Sequence, residues 1–465
     1  MPGNAVSLLK SILTNLPEVV KPTQKRLSFR EKLKWTGSVL MLFFVLGMIP
    51  LFGLGQNELQ RFGLLSIILG AKFGSIISLG IGPIVTASII IQLLTGSGLV
   101  KLDMTSKDGR KLFQGIQKAG SLAFILFEAC IYVFMGGLSP MPGISPWVLI
   151  AQLCAGGLLI LFMDEVVSKY GFGSGISLFI AAGVSEGIIL RLFSPFTSSG
   201  VFFMGSGEAP VGAVWAIFHF LSIGAAKDVL TNLAAITATG LVFAIAVYTQ
   251  AMRVELPMSF GRVRGHGIRW PLSFVYTSNI PVILVAALLA NIQLWARLLQ
   301  NKGMPILGTF VGNTPASGIV AWLQPPDLLR KLIERGVTLL DLGHSAVYII
   351  FMIVGAVIFS IFWVQTSGMD ARSQAQQMMS SGLQIPGFRR DPRVLEHLLN
   401  RYIWPLTVMG AITVGFLAAT ADLSGALSSG TGILLTVMII YRLYEEIAQQ
   451  HMMDMYPVMR RFIGG

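Results

Sequence analysis

Ten apolar stretches run through the chain, and each is long enough to cross the hydrocarbon core of a bilayer, which is about 30 Å thick. They lie at residues 35–54, 76–96, 112–136, 145–164, 172–190, 233–252, 271–292, 343–364, 403–421 and 426–444. Of the 465 residues, 54% are hydrophobic and only 12% are charged. Soluble domains carry about a quarter charged residues. The sequence therefore predicts an all-α polytopic membrane protein with ten transmembrane helices.

The distribution of positive charge predicts the orientation of these helices. With the N-terminus inside, 25 of the 34 Lys and Arg residues fall on the inner side. Because Lys and Arg collect in cytoplasmic loops, we expect a multi-pass protein of the cell membrane with both termini cytoplasmic. An amphipathic helix on an anionic membrane and a solvated basic tail explain the N-terminal segment about equally well.

Ten spans divide into five plus five. An odd number of spans in each half makes the second half run opposite to the first, so we expect an inverted repeat. The predicted segments are a cytosolic N-terminal segment at 1–34, a first half at 35–190, an external hinge at 191–232 and a second half at 233–465.

The second span has an unusual composition for a helix that faces only lipid. Residues 79–98 read LGIGPIVTASIIIQLLTGSG, with polar Thr86, Ser88 and Gln92 among branched aliphatic residues. Pro83 lies near its start and predicts a break in the helix there. We interpret this span as one wall of something that opens.

Motifs for catalysis or metal binding are missing from the sequence. None of the five histidines lies in an H-E-x-x-H pattern, and neither a G-x-S-x-G elbow nor a Walker loop occurs. Cys130 and Cys154 fall inside apolar runs, which favours neither a disulfide framework nor a thiolate metal site. We therefore expect no enzyme activity, no catalytic residues, no metal and no cofactor.

Glu128 is the only carboxylate well inside an apolar run. A proton- or ion-coupled transporter usually has several ionisable groups at mid-depth, so a secondary transporter of small solutes is the weaker alternative. An intramembrane protease lacks its catalytic residues.

Two long inner loops, at 253–270 and 365–402, carry basic residues on their predicted tips. These residues are Arg262, Arg264, Arg389 and Arg390. Exposed arginines suit an anionic partner such as RNA or lipid head groups. On these residues alone, positive-inside topology is the better explanation.

Five motifs resemble one known family along nearly the whole chain. They read LGIGPIVTASIIIQLLTGSG, GFGSGISLFIAAG, SNIPVILVAALLANIQLW, GLQIPGFRRDPRVLE and GTGILLTV, in that order. They are similar to the SecY family, the channel-forming alpha subunit of the Sec protein translocon, and more to its archaeal and eukaryotic members than to its bacterial ones. The resemblance implies a channel that passes unfolded secretory polypeptides across the membrane and releases signal and transmembrane helices sideways into the lipid.

The resemblance also implies a central hourglass pore with a ring of apolar side chains. The matching ring positions are Ile81, Val85, Ile176, Ile180, Ile283 and Leu435. A plug helix would occupy about 58–73. A lateral gate would open between spans 2 and 3 on one side and spans 7 and 8 on the other, with a polar cluster of Thr86, Glu128 and Asn291.

Partners follow from the same resemblance. A SecE-type (gamma) subunit and a small beta-type subunit would complete a heterotrimer, and Arg262, Arg264, Arg389 and Arg390 would dock the ribosome. Signal peptides, nascent polypeptides and membrane lipid are the other expected partners, whereas DNA is not one.

Overall fold

The computed structural model describes residues 16–24, 27–57, 70–96, 99–100, 107–197, 199–204, 207–260, 267–312, 314–334, 336–380, 383–384 and 392–455. The helices are α1 (Phe29–Met48), α2 (Gly82–Gly96), α3 (Lys107–Phe134), α4 (Pro146–Tyr170), α5 (Gly175–Phe193), α6 (Ala213–Ile223), α7 (Ala226–Ala251), α8 (Ile280–Asn301), α9 (Gly318–Trp322), α10 (Leu328–Glu334), α11 (Leu339–Thr366), α12 (Ala371–Ser380), α13 (Pro392–Leu423) and α14 (Gly430–Met455). The strands are β1 (Leu54–Asn57), β2 (Leu138–Pro140), β3 (Arg253–Phe260), β4 (Gly267–Ser273), β5 (Phe310–Val311), β6 (Thr314–Pro315) and β7 (Leu383–Gln384). The protein is therefore mostly helical.

Each of the ten predicted spans overlaps one helix, and seven of these helices are long and apolar enough to cross a membrane. The seven are α3, α4, α5, α7, α8, α11 and α13. Charged residues dilute α1 and α14, and α2 has 15 residues. At about 1.5 Å per residue, α2 is shorter than a bilayer core, so its crossing stays a prediction.

Local signals explain where several helices begin. α1 begins with a capping box, in which Ser28 Oγ accepts from the Glu31 amide and the Glu31 carboxylate accepts from the Ser28 amide. α2 begins only at Gly82, next to Pro83, after a stretch of turns at 76–81. The break expected at the start of this span is therefore present.

Backbone pairing displaces one predicted helix start by nine residues. The seventh span is predicted from residue 271, but α8 begins at Ile280. Residues 267–273 instead form β4, which pairs antiparallel with β3 from Arg253↔Ser273 to Ser259↔Gly267. The first three residues of the predicted span thus belong to a hairpin, and residues 274–279 form bends and turns before α8.

The two long loops that are predicted to lie on the inner side meet in this sheet. β7, from the second loop, pairs with β3 through Ser259↔Gln384 and Phe260↔Leu383, which gives the order β4-β3-β7. The second loop also contains α12 and the first turns of α13. It is therefore more ordered than a loop prediction implies.

The main apolar core lies where the long helices meet. Its buried residues come from α1, α2, α4, α5, α7, α8, α11, α13 and α14. Within it, α2 packs against α3, α8 and α11, while α14 packs against α5, α7 and α13. Helices from the beginning and end of the chain thus surround one centre.

Candidate functional site

A cavity of about 700 Å³ opens between α2, α5, α8 and α14. Along α2 it touches Val85, Ser88 and Gln92, and along α5 it touches Ile176 and Ser177. The cavity therefore follows α2 toward its C-terminal end and the antiparallel α5 toward its N-terminal end. It has one aliphatic end and one polar end.

Branched aliphatic side chains close the apolar end. Val85, Ile176 and Ile283 line the cavity, while Ile81, Ile180 and Leu435 do not and are each about 1% exposed. All six belong to, or pack against, the main apolar core. The six predicted ring residues thus lie in or against the same large apolar core, and their role as a pore ring stays a prediction.

The polar end of the cavity is bounded by the first and last helices. Lys32 on α1 donates to Gln450 Oε1 over 3.2 Å, and Gln450 Nε2 donates to the carbonyl of Leu27 over 3.0 Å. The Phe29 ring packs edge-on against His451, with 5.4 Å between ring centroids. These contacts tie the start of α1 to the end of α14 beside the cavity mouth.

The three predicted gate residues form one polar cluster where α2, α3 and α8 meet. Asn291 Nδ2 donates to Thr86 Oγ1 over 2.9 Å, and Thr86 Oγ1 lies 3.2 Å from Glu128 Oε1. Glu128 is only 3% exposed, and its Oε2 has no hydrogen-bond partner among the described residues. The two hydrogen bonds join α2 to α3 and α8. The unpaired Glu128 Oε2 opposes them, because a buried polar atom without a partner costs about 1–3 kcal/mol.

Close packing at two glycines also joins α11 to α2 and to α8. A Cβ on Gly96 of α2 would lie 2.3 Å from Phe362 Cδ1, and a Cβ on Gly355 of α11 would lie 2.8 Å from Val285 Cγ2. Gln117 Nε2 on α3 donates to Ser88 Oγ on α2 over 2.5 Å. Nothing in the sequence pattern indicates the role of Gln117, because its partner is 29 residues away.

Some predicted site residues lie outside the described part of the chain. These are the four docking arginines, Arg262, Arg264, Arg389 and Arg390, and residues 58–69 of the predicted plug. The end of the predicted plug is described: Gly70, with a φ of +51°, lies beside Ile81 and Phe179. Lys72 forms an ion pair with Glu186 on α5 at 2.8 Å.

Metal-binding clusters are not found among the described residues, where no three or more His, Cys, Asp or Glu side chains are grouped. Cys130 and Cys154 are both free thiols.

Comparison with known proteins identifies the family. The SecY family model matches residues 75–444. The protein translocase subunit SecY of Methanothermobacter thermautotrophicus is 45% identical over 456 residues, which cover 97% of both chains. The corresponding subunit of Methanocaldococcus jannaschii is 42% identical over 453 residues, which cover 97% of this chain and 98% of the relative.

Solved structures agree with this assignment. A structure described as a protein conducting channel superposes with a TM-score of 0.81 at 41% identity, over 96% of this chain and 98% of that one. Sec61 in the canine ribosome-channel complex from the endoplasmic reticulum superposes with a TM-score of 0.79 at 40% identity, with the same coverage. The chain belongs to the SecY family.

Proposed function

We propose that this chain forms the channel through which unfolded secretory polypeptides cross the membrane. As a member of the SecY family it is a protein-conducting channel and a membrane protein. Among the residues of this chain, the aliphatic side chains at the end of the 700 Å³ cavity support the proposal most strongly. A polypeptide would enter the polar end and pass through this ring.

The aliphatic ring suits a channel that passes polypeptides but retains ions. A collar of Ile, Val and Leu side chains makes a dry constriction that ions and water cross poorly. Its contacts are non-directional, so the collar can deform around side chains of different shape. Ile81 and Val85, and likewise Ile176 and Ile180, are four residues apart and each pair faces the same way.

The proposed architecture is ten spans in two inverted halves. The first half is 35–190, the external segment 191–232 joins it to 233–465, and both termini are cytoplasmic. One packing pattern supports this division: α2, α3 and α4 pack in sequence in the first half, and α8, α11 and α13 do so in the second.

The proposed lateral gate lies between α2 with α3 and α8 with α11. Hydrogen bonds among Thr86, Glu128 and Asn291 favour the closed seam, and an apolar signal helix would replace them by burying its own surface. The plug, at about 58–73, would close the outer side of the ring. The contact of Gly70 with Ile81 supports this position.

The proposed partners are a SecE-type subunit, a small beta-type subunit and the ribosome. One related structure is Sec61 in a ribosome-channel complex, which supports the ribosome as a partner. The exposed face of α7 is a candidate surface for a small subunit, because only Val242, Ala246 and Thr249 of this helix are buried. Arg262, Arg264, Arg389 and Arg390 would contact the ribosome.

Reconstitution tests the proposed function. The chain, co-expressed with its small subunits, is placed in vesicles and supplied with a ribosome carrying a secretory chain. We expect the chain to become protected from added protease inside the vesicles. Arg389→Glu should weaken ribosome co-sedimentation while leaving the complex assembled. Vesicles that bind ribosomes but never protect the secretory chain would contradict the proposal.

A further inference from the structure

The turn before α5 is held at both ends by side chains from other helices. The amide of Phe172 donates to Thr36 Oγ1 on α1, and the amide of Ile176 donates to Asp164 Oδ1 on α4, each over 3.0 Å. Gly175 lies against the same aspartate, because a Cβ there would be 2.5 Å from Asp164 Cα. Thr36 and Asp164 therefore fix where α5 begins.

The turn before α14 is held by the same residue types. The amide of Leu427 donates to Thr239 Oγ1 on α7 over 3.0 Å, and the amide of Thr431 donates to Asp422 Oδ1 on α13 over 2.8 Å. A Cβ on Gly430 would lie 2.4 Å from the backbone nitrogen of Asp422. Thr239 and Asp422 therefore fix where α14 begins.

The two turns share one register. In each, the amide bound to threonine is three residues before the glycine, and the amide bound to aspartate is one residue after it. Each threonine hydroxyl also donates to the carbonyl four residues earlier in its own helix, Thr36 to Lys32 and Thr239 to Ala235. The same arrangement thus occurs once in each half of the proposed inverted repeat.

The shared register extends to the ring. Ile180 lies five residues after Gly175, and Leu435 lies five residues after Gly430. A helix rises about 1.5 Å per residue, so each turn places its ring side chain at the same distance from the anchored helix start, about 7–8 Å.

We propose that Thr36 with Asp164, and Thr239 with Asp422, are two equivalent clasps that set the axial level of Ile180 and Leu435 in the pore ring. The inference rests on the proposed function and adds four positioning residues to it. One clasp lies at the inner end of the first half and the other at the outer end of the second. The two clasps therefore hold their ring helices from opposite sides of the membrane.

The clasps act through geometry rather than through contact with the polypeptide. A dry constriction seals only while its aliphatic side chains meet at one level. Loss of a clasp leaves the helix start without its acceptors, and the helix then slides along the bundle. The ring side chain of that half then leaves its packed position and becomes exposed to water, while the ring side chain of the other half stays packed.

Cysteine labelling tests the clasps in the assembled complex. Cys130 and Cys154 are first replaced by Ala, and a single cysteine is then placed at Ile180 or at Leu435. The rate of labelling by a water-soluble maleimide reports water at that position. Asp164→Ala should raise labelling at position 180 about tenfold and leave position 435 unchanged, and Asp422→Ala should do the reverse. A tenfold change is the population shift that corresponds to about 1.4 kcal/mol.

Milder variants keep the test valid if an Ala variant fails to assemble. Asp164→Asn and Asp422→Asn retain the oxygen that accepts the backbone amide, so labelling should return close to the unmodified rate. Thr239→Val removes the acceptor for Leu427 and should expose position 435. Thr237→Val is the matched control, because among the described residues the Thr237 hydroxyl bonds only to the carbonyl of Ala234 in its own helix.

Labelling that rises equally at both ring positions, or at neither, would overturn the clasps, as would a Thr237→Val effect equal to that of Thr239→Val. These readouts do not require transport of a polypeptide. Failure of the unmodified complex to transport would instead contradict the proposed function.

Discussion

Asn291 on α8 donates a hydrogen bond to Thr86 on α2, with 2.9 Å between Nδ2 and Oγ1. The two residues are 205 positions apart in the chain, and each belongs to a different half of the proposed repeat. The same hydroxyl lies 3.2 Å from the Glu128 carboxylate on α3. Any separation of α2 from α8 has to break this hydrogen bond, so the bond opposes opening of the seam between them.

Glu128→Leu should stabilise the closed seam. The substitution removes a buried carboxylate oxygen that has no partner among the described residues, which is worth about 1–3 kcal/mol, and it loses the contact with Thr86, which is worth about 0.5–1.5 kcal/mol. The Thr86 hydroxyl keeps the carbonyl of Gly82 as its acceptor at 2.8 Å, so the net change favours the closed seam. Signal sequences of marginal hydrophobicity should then be transported about tenfold more slowly, because each 1.4 kcal/mol is a factor of ten. Glu128→Gln keeps an acceptor for Thr86 and should have a smaller effect. Unchanged transport of marginal signals by Glu128→Leu would show that the seam between α2 and α8 does not control gating.

Ile180→Asn should make the resting channel leak ions. A polar amide in the aliphatic ring hydrates the constriction, so conductance in planar bilayers should rise without any polypeptide present. Ile189→Asn is the matched control on the same helix, because Ile189 is exposed on the outer surface of α5. Equal conductance of the two variants would show that Ile180 does not seal the pore.

Reversing the charge of Lys72 should weaken the seal at the end of the predicted plug. Lys72 and Glu186 form a 2.8 Å ion pair, with about a third of each side chain exposed. Such pairs contribute about 0.2–1 kcal/mol, so Lys72→Glu should raise resting conductance by up to about fivefold. The double variant Lys72→Glu, Glu186→Lys should restore the seal. A double variant that leaks more than Lys72→Glu would mean that the pair does not act as a unit.

The N-terminal segment should loosen from α4 in acid. The Val19 amide donates to Glu165 Oε2 over 2.8 Å, and Lys169 binds Glu18 Oε1 at 2.5 Å. The hydrogen bond from Lys169 holds the pKa of Glu18 below its usual 4.5. A lowered pKa means that this contribution to stability is complete above about pH 4.5 and is lost as the pH falls through the lowered value.

Hydrogen exchange of the Val19 amide, corrected for the intrinsic rate, measures this loosening. Protection should hold down to about pH 4.5 and fall below it. Glu18→Gln should lower protection at neutral pH and flatten the profile. An identical pH profile for Glu18→Gln would assign the change to another group.

The sequence predicts the helices better than their ends. Long apolar runs specify buried helices, so each predicted span overlaps one. The seventh span is predicted as helix from residue 271, but residues 271–273 pair with β3 and residues 274–279 form bends and turns, which an apolar run does not reveal. The start of α1 moves to Phe29 because the Ser28–Glu31 capping box lies before the apolar run.

The sequence likewise identifies some residues of the candidate site and not others. The ring and gate residues lie within motifs that resemble the SecY family, so the resemblance could name them. The clasps could not be found from sequence, because Thr36 meets Phe172 and Thr239 meets Leu427 across 136 and 188 residues. Their common register is a property of the folded chain.

Site-specific crosslinking shows whether the polypeptide passes the aliphatic ring. A photoreactive residue replaces Val85, and the complex is given a stalled ribosome that carries a secretory chain. We expect an adduct with that chain at Val85 and none at Ile90, which lies on an exposed face of the same helix. If ribosomes bind the intact complex and Val85 gives no adduct, the polypeptide does not pass through this ring and the account is wrong.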